Sequence, residues 1–410
     1  MSKISNKGIQ EIKKILDDAT SDPITGVPGL FVSITNNKGD DLITYTSGYT
    51  GADATEKLSK DSIFWLASCT KLITTIAVLQ LVEKGKLALD DADQLDSILP
   101  ELKSIQIATL NDDGNISLKP KKNRITLRML LSHTAGFGYS FFNKTLKRWS
   151  ELYGNFDFEI NSDHYPVLFE PGTNWEYGVG IDWAGEALKR VTGQNLGDYF
   201  IENIFKPLGV KDASLTPNEE LRKRIIHMNN RDNDTGKLTV GKQPLSKVFK
   251  GDYENFFHSG GAGLFSKPDE YVKILSTILN DGISPITGAQ ILKKETVESM
   301  FANQVPQFPN LGRKGIPDAN PSLTNPIPDI YPQGDSPQGW GLSWFLTLEK
   351  GDTGRGKNTG FWCGLSNVFY WCDKEKGIAG MIASQILPFA DANVLGSWFK
   401  VESATYANLE

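Results

Sequence analysis

Ile63-Phe64-Trp65-Leu66-Ala67-Ser68-Cys69-Thr70-Lys71-Leu72-Ile73 joins an apolar run to a long helical pattern and sets a hydroxyl and an amine one helical turn apart. Residues at i and i+3 share a helix face. At a helix start the first N–H groups lack partners and the dipole favours developing negative charge, so a serine there can be activated by lysine without a histidine. The pattern predicts a helix from Ser68 to about Lys84, with Leu72, Ile73, Ile76, Ala77 and Leu79 on one side. Val78, Leu81 and Val82 carry the apolar surface almost all round, as in a buried helix. The same Ser-x-x-Lys spacing recurs at Ser397-Trp398-Phe399-Lys400, where helix surface and core aromatics explain it. Context alone leaves Ser68 open between nucleophile and N-cap.

The chain has 410 residues, 39% hydrophobic and 22% charged, and a formal net charge of -6. This composition suits a soluble globular protein with two or three cores, or one large domain carrying a big insertion. The acidic balance gives no footprint for nucleic acid. No apolar run is long enough to span a membrane. The N-terminal stretch reads as a charged amphipathic helix with Ile9, Ile12 and Leu16 on one side and lacks the apolar core of a signal peptide. Cys69, Cys363 and Cys372 form no disulfide framework and fit a reducing, cytoplasmic setting. No metal is expected, because His133, His164, His227 and His258 are unpaired and three scattered cysteines make no zinc site. A Ser-His-Asp hydrolase is disfavoured by the lack of a G-x-S-x-G elbow. His133, in Leu130–Phe137, reads as a structural residue bonding nearby backbone.

Residues 30–48 predict a hairpin turning at Asn36-Asn37-Lys38-Gly39. Residues 87–210 read as helix and loop, with helices over Leu127–Ser132 and Asp182–Val191. A strand is predicted near Gly260–Phe265 and a helix from Ser266/Pro268 to about Leu279. Single strands then follow over Gly341–Leu348, Phe361–Trp371 and Gly377–Ser384, with a helix from Ala390. Two connections stand out. Val305–Gly339 carries eight prolines, and Phe137–Phe169 carries ten aromatic residues without a sustained helical period. The first reads as a disordered stretch or a functional lid, the second as a ligand wall or a satellite core.

Tyr177, in Glu170-Pro171-Gly172-Thr173-Asn174-Trp175-Glu176-Tyr177-Gly178, sits between a Pro-Gly turn and a glycine. It suits a proton shuttle or a packed aromatic at a loop end. Gly260-Gly261-Ala262-Gly263 leads into a strand and has no following P-loop lysine, so it is no phosphate cradle.

Together Ser68–Lys71, the block ending at Tyr177-Gly178, Leu130–Phe137, Gly260–Tyr271 and Gly339–Phe345 resemble the serine beta-lactamase-related family of class C beta-lactamases, DD-peptidases and family VIII carboxylesterases. The blocks Arg124–Phe142 and Trp175–Leu196 are most similar to its fungal branch of lovastatin acyltransferase and statin-ester hydrolases. The resemblance implies an α/β (α+β) fold with a central antiparallel sheet flanked by helices, built from residues 1–86 and 211–410. Residues 87–210 would form a mostly helical insertion, with the site at the junction. It implies Ser68, Lys71 and Tyr177 as catalytic residues and the N–H groups of Ser68 and Leu365 as an oxyanion hole. By segment it puts Tyr139, Phe141, Phe142, Trp362 and Gly364 at the substrate. No cofactor is implied.

Departures from the lactamase pattern set the subtype. Val179 stands at the asparagine of Tyr-x-Asn, and Trp362-Cys363-Gly364 stands where Lys-Thr-Gly is found, with Lys357-Asn358-Thr359-Gly360 as a competing register. Losing the polar groups that hold a beta-lactam amide and carboxylate points to a serine carboxylesterase or transesterase acting on an ester of a hydrophobic alcohol or acid. Alternatives are an acyltransferase of secondary metabolism using a thioester, with an acyl carrier as a candidate donor, a residual beta-lactamase, or a non-catalytic binding homologue. A monomer is expected.

Overall fold

The protein is described from a computed structural model covering residues 2–160, 165–251, 253, 255–313, 315–327 and 335–410. Helix α1 (Asn6–Ala19) starts at Ser5, whose hydroxyl accepts the Gly8 N–H, and buries Ile12 and Leu16. The expected hairpin forms as β1 (Gly29–Asn36) and β2 (Asp41–Gly48), with Val32 opposite Tyr45. Every β1 residue is buried. It is an inner strand, its other edge pairing with the far end of the chain, and strands covered on both faces read as continuous apolar runs.

Strand β3 (Phe64–Ala67) leads through Ser68 and Cys69 into α2 (Thr70–Glu83), buried at every position from Thr70 to Leu81. The stretch expected to be helix and loop also holds a two-stranded ribbon, β4 (Gln106–Leu110) and β5 (Ile116–Pro120). Helix α3 (Leu127–Leu131) starts at the Thr126 hydroxyl. The aromatic connection, whose sequence shows no sustained helical period, contains α4 (Lys144–Tyr153), started by the Asn143 side chain and burying only Leu146 and Trp149. Helix α5 (Gly180–Thr192) ends on Gly193 in the left-handed region, where glycine carries no Cβ penalty. Strand β6 is shorter than expected, Leu264–Ser266, and α6 (Pro268–Leu279) begins with proline in its first turn.

The last third corrects the strand count. The single strand expected over 341–348 is a hairpin, β7 (Gln338–Trp340) and β8 (Phe345–Thr347). The one expected over 361–371 is also a hairpin, β9 (Thr359–Gly364) and β10 (Val368–Asp373). Strand β11 (Ile378–Ala383) and helix α7 (Ala392–Ala407) follow. The main sheet runs β7-β8-β9-β10-β11-β1-β2, antiparallel throughout.

Adjacent residues of β10 show what covers each face, since side chains alternate across a strand. Tyr370 meets Tyr271 of α6 at 5.3 Å between ring centroids, while Phe369 stacks on Trp398 of α7 at 4.4 Å. The sheet therefore lies between α6 and α7. A smaller sheet joins β3, β6 and Ala213–Ser214. Gln385 clamps β3 to the large sheet, accepting the Trp65 N–H and donating to the Trp65 carbonyl.

Candidate active site

Ser68 occupies the bend between β3 and α2. Ala67 immediately before it is buried and has φ 44°, a conformation costly for a residue with a Cβ. Pairing of Ala67 with Leu264 and the Thr70 hydroxyl bond to the Ala67 carbonyl at 2.6 Å hold it there. Gly364 is required from the other side: a Cβ on it would lie 2.4 Å from the Leu66 carbonyl oxygen. A Cβ on Gly360 would instead strike the Trp344 ring, and Lys357 is exposed at the far end of β9. Trp362-Cys363-Gly364 is thus the part of β9 beside Ser68. Gly364 serves that backbone approach and does not line the cavity.

Lys71 is fully buried. Its Nζ lies 3.2 Å from Ser68 Oγ, 2.9 Å from the Tyr139 hydroxyl and 2.8 Å from the Gly261 carbonyl. The amine of a neutral lysine has two N–H bonds and one lone pair. The Gly261 oxygen can only accept, and the Tyr139 hydroxyl can take the second N–H, which leaves the lone pair to Ser68. Burial pushes the Lys71 amine down from 10.5 to about 7, with the Asp182 charge acting against it.

Tyr177 closes the other side. Its hydroxyl accepts the Trp362 indole N–H at 3.0 Å and faces Ser68. Burial pushes the phenol well above its ordinary value despite the opposing effect of Ser68 and Trp362, so it keeps its proton at neutral pH. A Cβ on Gly178 would meet the Gly138 backbone at 2.5 Å, which explains the Tyr-Gly pair. Val179 is fully buried, so the asparagine position of the lactamase pattern supplies no polar atom here. His133 is buried and accepts the Gly178 N–H through Nδ1 at 3.3 Å, the backbone bond expected of it. Its ring lies 4.7 Å from that of Tyr177 and serves as support. His164 lies outside the described residues.

Above Ser68 opens a cavity of about 270 Å³. Tyr139, Phe141, Phe142, Tyr177, Trp362 and Leu365 line it together with Ser68, and Leu395, Trp398 and Phe399 of α7 extend it. Both long connections contribute walls, Phe158 from one and Ile316, Pro326 and Ile327 from the other. Residues 161–164, 314 and 328–334 of those connections lie outside the described residues. No charged side chain is among the described lining residues, and they hold no cluster of metal-ligating side chains. Ser397 of the second Ser-x-x-Lys match is buried and donates to the Asn393 carbonyl within α7, a structural role inside the helix.

Sequence reasoning missed two features. Tyr139 was expected at the substrate, and it also bonds the Lys71 amine. Asp182 was seen only as the start of a helix, yet it is buried beside Gly261. The available signal was a lone carboxylate on the apolar side of a buried helix.

The Beta-lactamase family profile matches residues 16–402. The chain belongs to the Beta-lactamase family. It is 35% identical to the lovastatin esterase of Penicillium rubens, over 82% of each chain. It is 31% identical to the monacolin J acid methylbutanoyltransferase of Aspergillus terreus, over 86% of this chain and 84% of that one. Among solved structures, a simvastatin synthase mutant from Aspergillus terreus superposes with TM-score 0.80 at 28% identity, covering 98% of this chain and 95% of the other. The beta-lactamase/transpeptidase-like fold and membership among serine esterases and acyltransferases follow.

Asp157 shows how the cavity wall is held. Its carboxylate accepts the Ser140 N–H at 2.7 Å and the Ser140 hydroxyl, bracing the turn that carries Tyr139. Burial raises it from 3.8 to about 6, against the lowering effect of those bonds. The folded protein therefore binds this proton more tightly than the unfolded chain. That contribution to stability is full below pH 3.8 and is lost as pH rises through about 6. Asp157→Asn should raise the thermal midpoint at about pH 7.5, by up to about 3 kcal/mol in stability, and change little at about pH 4. A thermal melt at each pH checks this, and equal effects at both would contradict it.

Proposed function

We propose that this chain is a serine carboxylesterase that works through a Ser68 acyl-enzyme on esters with a bulky hydrophobic acid or alcohol. The observation that carries the proposal is the Lys71 amine, whose two N–H groups have acceptors and whose lone pair is left to Ser68 Oγ at 3.2 Å. Lys71 takes the Ser68 proton as Oγ attacks the ester or thioester carbonyl. The N–H groups of Ser68 and Leu365 hold the oxyanion as the C=O bond becomes single. When the tetrahedral intermediate collapses, the C–O or C–S bond to the leaving group breaks. The leaving alkoxide or thiolate takes the proton from Lys71 by way of the Tyr177 hydroxyl. Water then attacks the acyl-enzyme by the reverse proton path.

Acyl transfer is the second reading, favoured by the 31% identity to a methylbutanoyltransferase. An acceptor alcohol competes with water for the same acyl-enzyme, and a small thioester or an acyl carrier would be the donor. Three unpaired thiols, Cys69, Cys363 and Cys372, suit a reducing cytoplasm. We take the working unit as a monomer, since every group in the mechanism comes from one chain.

The test compares kcat/KM on a p-nitrophenyl acetate, a bulky p-nitrophenyl ester and a chromogenic cephalosporin, with acceptor alcohol present or absent. Ester cleavage well above cephalosporin turnover is expected. Burying an aromatic side chain against ligand contributes roughly 1.5–3 kcal/mol. Phe142→Ala should thus lower kcat/KM for the bulky ester by more than about tenfold and spare the acetate. Equal losses on both esters, or cephalosporin turnover matching the esters, would overturn the assignment.

A further inference from the structure

In the Gly260-Gly261-Ala262-Gly263 turn before β6, three successive carbonyls each accept a bond from β3 or α2. The Gly260 carbonyl accepts the Thr74 hydroxyl at 2.7 Å, that of Gly261 accepts Lys71 Nζ, and that of Ala262 accepts the Trp65 indole N–H at 2.6 Å. One side chain pins this turn from behind. Asp182, in the first turn of α5, accepts the Gly261 N–H at 2.9 Å and the Ser259 hydroxyl at 2.8 Å, both on Oδ1. The Ser259 oxygen in turn accepts the Ala262 N–H at 3.0 Å. Asp182 is 1% exposed, and its Oδ2 is buried with no hydrogen-bond partner. A Cβ on Gly261 would fall 2.2 Å from that oxygen, so glycine is needed for the carboxylate to reach the peptide.

A buried carboxylate oxygen without a partner is costly unless a charge nearby compensates it. Among the described residues, the cation its electrostatics point to is Lys71, which bonds the carbonyl of the same Gly261 whose N–H Asp182 accepts. We propose that Asp182 is a positioning residue for Lys71: it fixes the Gly261 carbonyl that orients the amine, and its negative charge stabilises the ammonium that exists while Ser68 is being acylated. This rests on the reading of Lys71 as the base. The link is positional: Asp182 holds the Gly261 N–H, and the carbonyl of that same residue, in the next peptide group, receives the amine.

The other titratable groups around Lys71 are Cys69 on α2, Cys363 on β9, Tyr139, Tyr177 and His133. Burial keeps both thiols and both phenols protonated and the imidazole neutral near pH 7. Asp182 is therefore the group that supplies negative charge. Burial raises its carboxyl while Lys71 lowers it, as for two groups that titrate together.

The test is the pH profile of kcat/KM on p-nitrophenyl acetate for the wild type, Asp182→Asn and Asp182→Ser. Removing the anion makes the ammonium easier to deprotonate. The acid limb should move down by about one pH unit in both variants, with the plateau about tenfold lower. Asp182→Glu, which keeps the charge, should hold the limb near that of the wild type. A fluorophosphonate that labels Ser68 in all four proteins reports the Ser68 reading separately. Loss of that labelling in wild type would sink the mechanism, whereas labelling with an unmoved limb would sink only the Asp182 proposal. A plateau that falls with the limb in place, in whichever neutral variant folds, would leave Asp182 a structural residue. Failure of both neutral variants to yield folded protein would do the same.

Discussion

Ser68→Ala is expected to lower kcat/KM on p-nitrophenyl esters by about 10,000-fold or more while the protein stays folded, as for removal of a nucleophile elsewhere. The loss is large because Ser68 carries the one alkyl hydroxyl among the described residues that line the cavity. Ser68 is the residue that stands between the Lys71 amine, the Tyr177 hydroxyl and an apolar cavity. Removing Oγ leaves the fold-defining contacts of this bend intact, since those run through Ala67, Thr70 and Gly364. Steady-state kinetics beside a thermal melt separates the two effects. A rate within tenfold of wild type would mean that another group is the nucleophile.

Lys71→Met is expected to cost about 1,000-fold or more in kcat/KM and, in an Asp182→Asn background where no buried carboxylate is stranded, to raise the melting temperature. Both follow from burial. The wild-type amine must be neutral to accept the Ser68 proton, and with its basicity pushed down to about 7 the rate should rise with pH through that value. Methionine removes the base, so the acid limb disappears along with the rate. It also removes an amine whose folded state binds its proton less tightly than the unfolded chain. That mismatch costs stability at every pH below 10.5, in full below about 7. Activity lost and stability gained at one position is the usual trade at a strained site. A Lys71→Met variant that is less stable than its Asp182→Asn background, or that keeps the limb, would contradict this account of Lys71.

The parts of the site legible in the sequence are those set by local spacing. Ser68 and Lys71 lie one turn apart, and Tyr177 is marked by the glycine that follows it. The partners of Lys71 lie in other segments: Tyr139 is 68 residues away and Gly261 is 190. Spacing says nothing about such pairs, and the family resemblance places Tyr139 at the substrate by segment without linking it to Lys71. The fold's antiparallel sheet was legible through its apolar runs, but two of its turns were not. Ser343 and Asn367 turn the chain in the left-handed region without glycine, at φ 81° and 60°. Gly364-Leu365-Ser366-Asn367 does carry a turn signal between β9 and β10, but a short one, buried where it abuts the site and set inside a long apolar run. Helix α4 hid for the opposite reason. Only Leu146 and Trp149 face inward, a stripe too narrow to give a sustained period.

Intact-mass spectrometry, with peptide mapping, after rapid quenching of the enzyme on a slowly released acyl ester tests the covalent step itself. The account predicts one added acyl group, carried on the peptide containing Ser68, absent from Ser68→Ala and lost on adding water-miscible acceptor alcohol. An adduct on Cys363 or Ser397, or turnover with no adduct together with full activity in Ser68→Ala, would contradict it.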